Sequence, residues 1–236
     1  MGFRFSKILA FAVGGLAPIG LTALAQDVDV AFEVVGGVLS VPAVETGRLF
    51  LSEFPQPPDP LAYFADEPGF EAEDGVLGAS DKIGAALLSG LLFSNGSSVG
   101  PAPAGVALEI AKGPLALANL SGSGPLVGFS FATADDEGGV HQHLGFSLQH
   151  EDPGMPGAFL PSGPAGVYGL HLRLMSPEHG PSQPLLIAFN NGLADDDFAD
   201  AADALAAYAG VPVPEPAAWL LAALGSMAAV AMRRRR

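Results

Sequence analysis

The segment 140-VHQHLGFSLQH-150 alternates in hydropathy from end to end. A period of two places Leu144, Phe146 and Leu148 on one face of an extended chain, and His141, His143, Ser147 and Gln149 on the other. The segment therefore predicts a half-buried β-strand whose polar face carries two imidazoles pointing the same way. Residues two apart along a strand are separated by about 6.5 Å, close enough for two ring nitrogens to converge on one metal ion at about 2.0 Å each. The same alternation would serve equally for a strand face with two solvated histidines. His150 falls on the apolar side, or just past the strand end, and is left out of the candidate set.

A second strand is predicted at Val167 to Leu174, VYGLHLRL, with Tyr168, Leu170, Leu172 and Leu174 apolar and Gly169, His171 and Arg173 opposite. If it pairs antiparallel with the histidine strand across the proline-rich loop Glu151 to Gly166, both apolar faces must meet the core, which fixes the parity of the register. His171 then joins His141 and His143 on one face, opposite or diagonal to His143, with Gly145 leaving space for its ring. Three imidazoles so placed form a three-coordinate cluster with a fourth position for water, a carboxylate or a loop residue. His179, in the turn before the apolar strand Leu185 to Phe189, is the loop candidate.

The remaining chain reads as short strands separated by turn residues. Asp27 to Val34 alternates, and Gly36-Gly37 turns it into Val38 to Val41, predicting a hairpin. Arg48 to Phe54 is a third strand. Asp59 to Asp81, rich in Pro, Gly and acids around 68-PGFEAEDG-75, reads as a long ordered loop. Ile83 to Phe93 is a buried strand or a short helix. Val106 to Ala111, Leu115 to Leu120 and Leu126 to Thr133 are further strands, and Asp195 to Tyr208 is an acid-started, alanine-rich helix with Phe198, Ala202 and Leu205 on one side. The fold expected is mainly β: an antiparallel, jelly-roll-like β-sandwich spanning residues 26–210 and closed by one C-terminal helix.

The two ends carry addresses. Residues 1–25 have Arg4 and Lys7, an apolar run from Ile8 to Leu21, and Ala23-Leu24-Ala25 before Gln26, the order of a secretory signal peptide cleaved by signal peptidase. In residues 211–236, Pro214-Glu215-Pro216 precedes an apolar run, Ala217 to Met232, and then Arg233, Arg234, Arg235 and Arg236. That run would span about 24 Å as a helix, against a hydrocarbon core of about 30 Å. The arginines hold its end on the cytoplasmic side, so the segment anchors the chain in the membrane.

The chain has no cysteine, so an exported domain of this kind rests on its core and not on disulfides. Between the end segments only Arg48, Lys82, Lys112 and Arg173 stand against 24 Asp and Glu, a formal charge near −20. Such a surface excludes nucleic acid as a partner.

Pro-Glu-Pro, short span and arginine cluster, in this order, resemble the PEP-CTERM sorting signal. The resemblance implies recognition and cleavage by an exosortase in a Gram-negative bacterium that makes exopolysaccharide, with residence at the cell surface or in the extracellular matrix. The body also resembles PEP-CTERM proteins repressed by the zinc-uptake regulator Zur. The motifs that carry this likeness are PGFEAEDG, HQHLGFSL, GVYGLHLRL, SQPLLIAFNNG and the acidic helix, over roughly Asp66 to Ala207. It implies expression under zinc starvation and a role in zinc homeostasis. The N-terminal segment lacks the histidine expected near it in some relatives.

The function expected is a non-catalytic, exported zinc-binding protein, with Zn2+ held by His141, His143 and His171 and by His179 or a carboxylate, because neutral imidazole suits zinc. The alternative is an interaction module, without a metal, in the exopolysaccharide matrix or at the cell surface. A cupin-like metalloenzyme is weakened because Ser147 and Leu148 stand where that motif uses a glutamate after His143. No nucleophile with a paired base and no phosphate-binding glycine loop is evident, so no enzyme is expected.

Overall fold

The computed structural model describes residues 29–43, 47–123 and 128–213. The signal segment 1–25 and the sorting segment from Pro214 to Arg236 lie outside the described residues. Among the described residues the chain forms strands throughout and one helix, Asp195–Ala209, so it is mainly β with a C-terminal helix, as expected.

A seven-stranded and a five-stranded sheet face each other. The first runs Gly128–Thr133, Lys82–Leu87, Gly166–Met175, Leu185–Asn191 and Leu49–Glu53, with Leu92–Ser94 and Val99–Pro101 attached beside Gly166–Met175. The second runs Leu115–Ser121, Val106–Lys112, Gly145–Glu151 and Phe159–Pro161, with Phe64–Ala65 also paired to Gly145–Glu151. Inward residues of both sheets share one core: Tyr168, Leu170, Leu172 and Leu174 from one, Leu108, Ile110, Phe146 and Leu148 from the other. Alternation along each strand creates these faces.

The strand Leu185–Asn191 is buried at every position, and its sequence LLIAF shows why. Leu185, Ile187 and Phe189 point into the inter-sheet core, whereas Leu186 and Ala188 lie under the helix. Sheets covered on both faces carry such continuous apolar runs. The helix buries Phe198, Ala201, Ala202, Leu205 and Ala206; full burial of Phe198 and Leu205 contributes about 3–6 kcal/mol. Asp195, Asp196 and Asp197 in its first turn complement the helix dipole, and Gly210 ends it in the left-handed conformation, φ 70°.

The hairpin at Gly36-Gly37 is present, with Val35 opposite Val38 and both glycines at positive φ, 60° and 82°. Several expectations are corrected. The proline-rich segment Asp59 to Asp81 is not all loop: Phe70–Ala72 is the central strand of a three-stranded sheet, between Val30–Ala31 and Val140–Gln142. Its short Phe-Glu-Ala alternation, buried, exposed, buried, was hidden by the surrounding turn residues. The loop Glu151 to Gly166 likewise contains an edge strand, Phe159–Pro161. Finally, not every pairing is antiparallel. Val30–Ala31 runs parallel to Phe70–Ala72, and Leu49–Glu53 parallel to Leu185–Asn191.

The histidine stretch is two strands, not one. Val140–Gln142 belongs to the three-stranded sheet and Gly145–Glu151 to the five-stranded sheet. The chain changes sheets at His143-Leu144, a sandwich corner. Burial parity survives the corner, because Val140, Leu144, Phe146 and Leu148 are all buried.

Candidate metal centre

The three-stranded sheet sets the geometry. His141 lies opposite Glu71 on the central strand, and Glu71 lies opposite Ala31 on the other edge strand. Residues opposite one another share a face. Val30, Phe70 and Val140 point into the core, so Asp29, Glu71 and His141 are directed to the solvent face. The turn into the histidine strand is held by the Asp135 carboxylate, which accepts the N–H groups of Glu137 and Gly139.

On that face Asp29, His141 and His143 each offer a ligand atom, and the three atoms lie within 4.8 Å of one another. The Nε2 atoms of His141 and His143 are 3.1 Å apart. Two nitrogens about 2.0–2.1 Å from a tetrahedral zinc are separated by about 3.3 Å, so the imidazoles already stand close to ligand spacing. Nδ1 of His141 is 3.9 Å from Asp29 Oδ2. Nδ1 of His143 is 3.2 Å from the Asp66 carbonyl and 3.3 Å from Glu67 Oε1. The Asp66 carbonyl at Nδ1 of His143 fixes that ring's tautomer with its lone pair on Nε2, as the outer partners of metal-bound histidines do, whereas 3.9 Å is too long for a hydrogen bond at His141.

The backbone N–H of Gly69 donates to Asp29 Oδ1 and to Glu67 Oε2, each at 2.9 Å, which draws two carboxylates together beside the imidazoles. Burial raises the Glu67 carboxyl above the usual range; the Gly69 N–H and His143 pull it down, and the neighbouring Asp29 pushes it up. The Glu67 carbonyl accepts the hydroxyl of buried Ser52 at 2.7 Å, which anchors this loop to the seven-stranded sheet. An acid-lined hollow of about 470 Å3, bounded by Glu71, Glu73, Asp74, Asp135 and His141, opens beside the cluster.

His171 and His179 are not brought to this face. The strand Gly166–Met175 pairs with Leu185–Asn191, Lys82–Leu87 and Leu92–Ser94, and the strand Gly145–Glu151 with Val106–Lys112, Phe159–Pro161 and Phe64–Ala65. The antiparallel pairing that would have placed His171 beside His143 does not form. His171 sits opposite Leu186 on the helix-side face of the seven-stranded sheet, half-buried, its Nε2 without a hydrogen-bond partner. Burial lowers its pKa from the usual histidine value. The space over Gly145 is taken by Phe64, whose Cε2 would lie 2.9 Å from a Cβ there. Nε2 of His179 is 2.9 Å from Asp81 Oδ2 instead. The Gly78 N–H, and then His179, hold Asp81 below the usual carboxylate range.

Asp29, Glu67 and Gly69 are the site residues that the sequence did not reveal. Asp29 belongs to the alternating segment Asp27 to Val34, and Glu67 and Gly69 lie in or beside the motif PGFEAEDG. What joins them is the parallel pairing of Val30–Ala31 with a strand concealed in that motif.

The fold and site are those of a two-sheet β domain with an imidazole–carboxylate cluster on the face of a third, smaller sheet. The family model of the PEP-CTERM protein-sorting motif matches residues 212–236. This motif indicates export, membrane anchoring before cleavage, and exosortase sorting to the cell surface. No curated protein and no solved structure matches the chain. Among the described residues no helix is long and apolar enough to cross a membrane.

Proposed function

We propose that this chain is an exosortase-sorted surface protein that binds Zn2+ without catalysis, through Asp29, His141 and His143, with the fourth position left to water. The observation that carries the reading is the 3.1 Å approach of the two Nε2 atoms beside the Asp29 carboxylate. Two imidazoles and one carboxylate match the donor chemistry zinc accepts. His141, its side chain 61% exposed, gives the ion access from solvent. A role in zinc homeostasis under Zur control rests on the resemblance of the body motifs. Zinc titration of the exported, processed protein, purified without a histidine tag, tests the reading: one ion per chain is expected, and a result far below one ion after loading would overturn it.

A matrix or cell-surface interaction module is the second reading. The edge strand Phe159–Pro161 favours it, because Phe159 and Leu160 are exposed there beside exposed Met155.

A further inference from the structure

Asp29 and the histidines come from opposite edges of the three-stranded sheet, with the strand Phe70–Ala72 between them. Neighbouring strands lie about 4.8 Å apart, so ligands on the two edges can meet only by leaning over the middle. They do so at Gly69, immediately before that strand. A Cβ on Gly69 would lie 2.8 Å from Asp29 Oδ1, 2.9 Å from His143 Cε1 and 3.1 Å from His143 Nδ1. The carboxylate and the ring thus occupy the space that any other residue would fill.

We propose that Gly69 is a positioning residue for the metal centre, its missing side chain being what allows one ion to tie the first strand to the histidine strand across the sheet. The proposal rests on the zinc-binding reading above. All three close atoms are the ends of side chains, and no backbone atom is among them. A methyl group at Gly69 would therefore displace the ligands and leave the sheet intact. The ion's effect should also reach the first strand, where the Val30 and Phe32 N–H groups donate to the carbonyls of Gly69 and Glu71.

The test titrates Zn2+ into the exported, processed protein as wild type, Gly69→Ala, Asp29→Ala and the double variant. Gly100→Ala serves as the control, since nothing lies within 4 Å of a Cβ there. Gly69→Ala should weaken zinc binding at least tenfold, with the metal-free protein still folded and melting cooperatively. The double variant should bind more weakly than Asp29→Ala alone, because the methyl group also crowds the His143 ring. Hydrogen exchange on the wild type supplies a readout independent of any variant: zinc should slow exchange at Val30 and Phe32. Wild type that binds no zinc would overturn the zinc-binding reading itself. Wild type that binds while Gly69→Ala binds equally well, or a double variant that binds as tightly as Asp29→Ala, or zinc binding without protection at Val30 and Phe32, would overturn the role of Gly69 and leave the reading standing.

Discussion

His141 and His143 direct their Nε2 atoms at each other across 3.1 Å, although the chain leaves the strand at His143. The second ring is held from behind by Asp66 and Glu67 and not by a strand ladder. His143→Ala should lower zinc affinity by more than about 100-fold, beyond the loss typical of an outer partner. His150→Ala, on the strand of the five-stranded sheet opposite Val106, should leave it nearly unchanged. Titration of the two variants side by side checks this; equal affinities would remove the site.

Glu67→Gln keeps the shape of the side chain and removes its charge beside His143 Nδ1. Loss of such an outer acceptor lowers affinity by about 10–100-fold. Competition with a zinc indicator should show that drop without a change in stoichiometry. Because the imidazoles bind only when neutral, the same assay should show zinc released on acidification in every variant.

His171 governs a separate pH effect. Burial lowers its folded-state pKa, so as pH falls through the ordinary histidine value, about 6.5, the unfolded chain takes up a proton that the folded chain resists. Its contribution to stability is complete above that pH and declines as pH falls towards the folded-state value. Melting curves of His171→Gln should show a shallower acid decline than wild type, measured without metal. Parallel declines would show that the ring does not titrate differently on folding.

Leu205 is fully buried between the helix and Leu186 and Ala188. Leu205→Ala should cost about 2–5 kcal/mol, read by denaturant unfolding. A loss under about 1 kcal/mol would mean that the helix relaxes into the space left behind.

Processing is checked by intact mass. Protein recovered from the surface of a host with an exosortase should lack residues 1–25 and the segment beyond Pro214-Glu215-Pro216. A mass that still includes Ala217 to Arg236 would mean that the tail is retained as an anchor.

Alternation was enough to reveal the long strands. VYGLHLRL and HLGFSL bury the residues their parity predicts, and LLIAF and the alanine-rich helix find each other across the seven-stranded sheet. Strand partners were not legible, because two apolar faces can meet a core equally well by pairing within one sheet or by facing across two. His171 was assigned to the metal centre on the first possibility, and the chain adopts the second. Phe70–Ala72 is too short to show a period, so the parallel pairing that delivers Asp29 had no signature of its own.

That parallel pairing bears on the order of events during export. Asp29 lies near the beginning of the chain and emerges early, but its partners in the cluster, His141 and His143, emerge much later. On the zinc-binding reading proposed above, this set of ligands is complete only once residues 29 to 143 have come together, so capture outside the cytoplasm would need the chain translocated at least as far as His143.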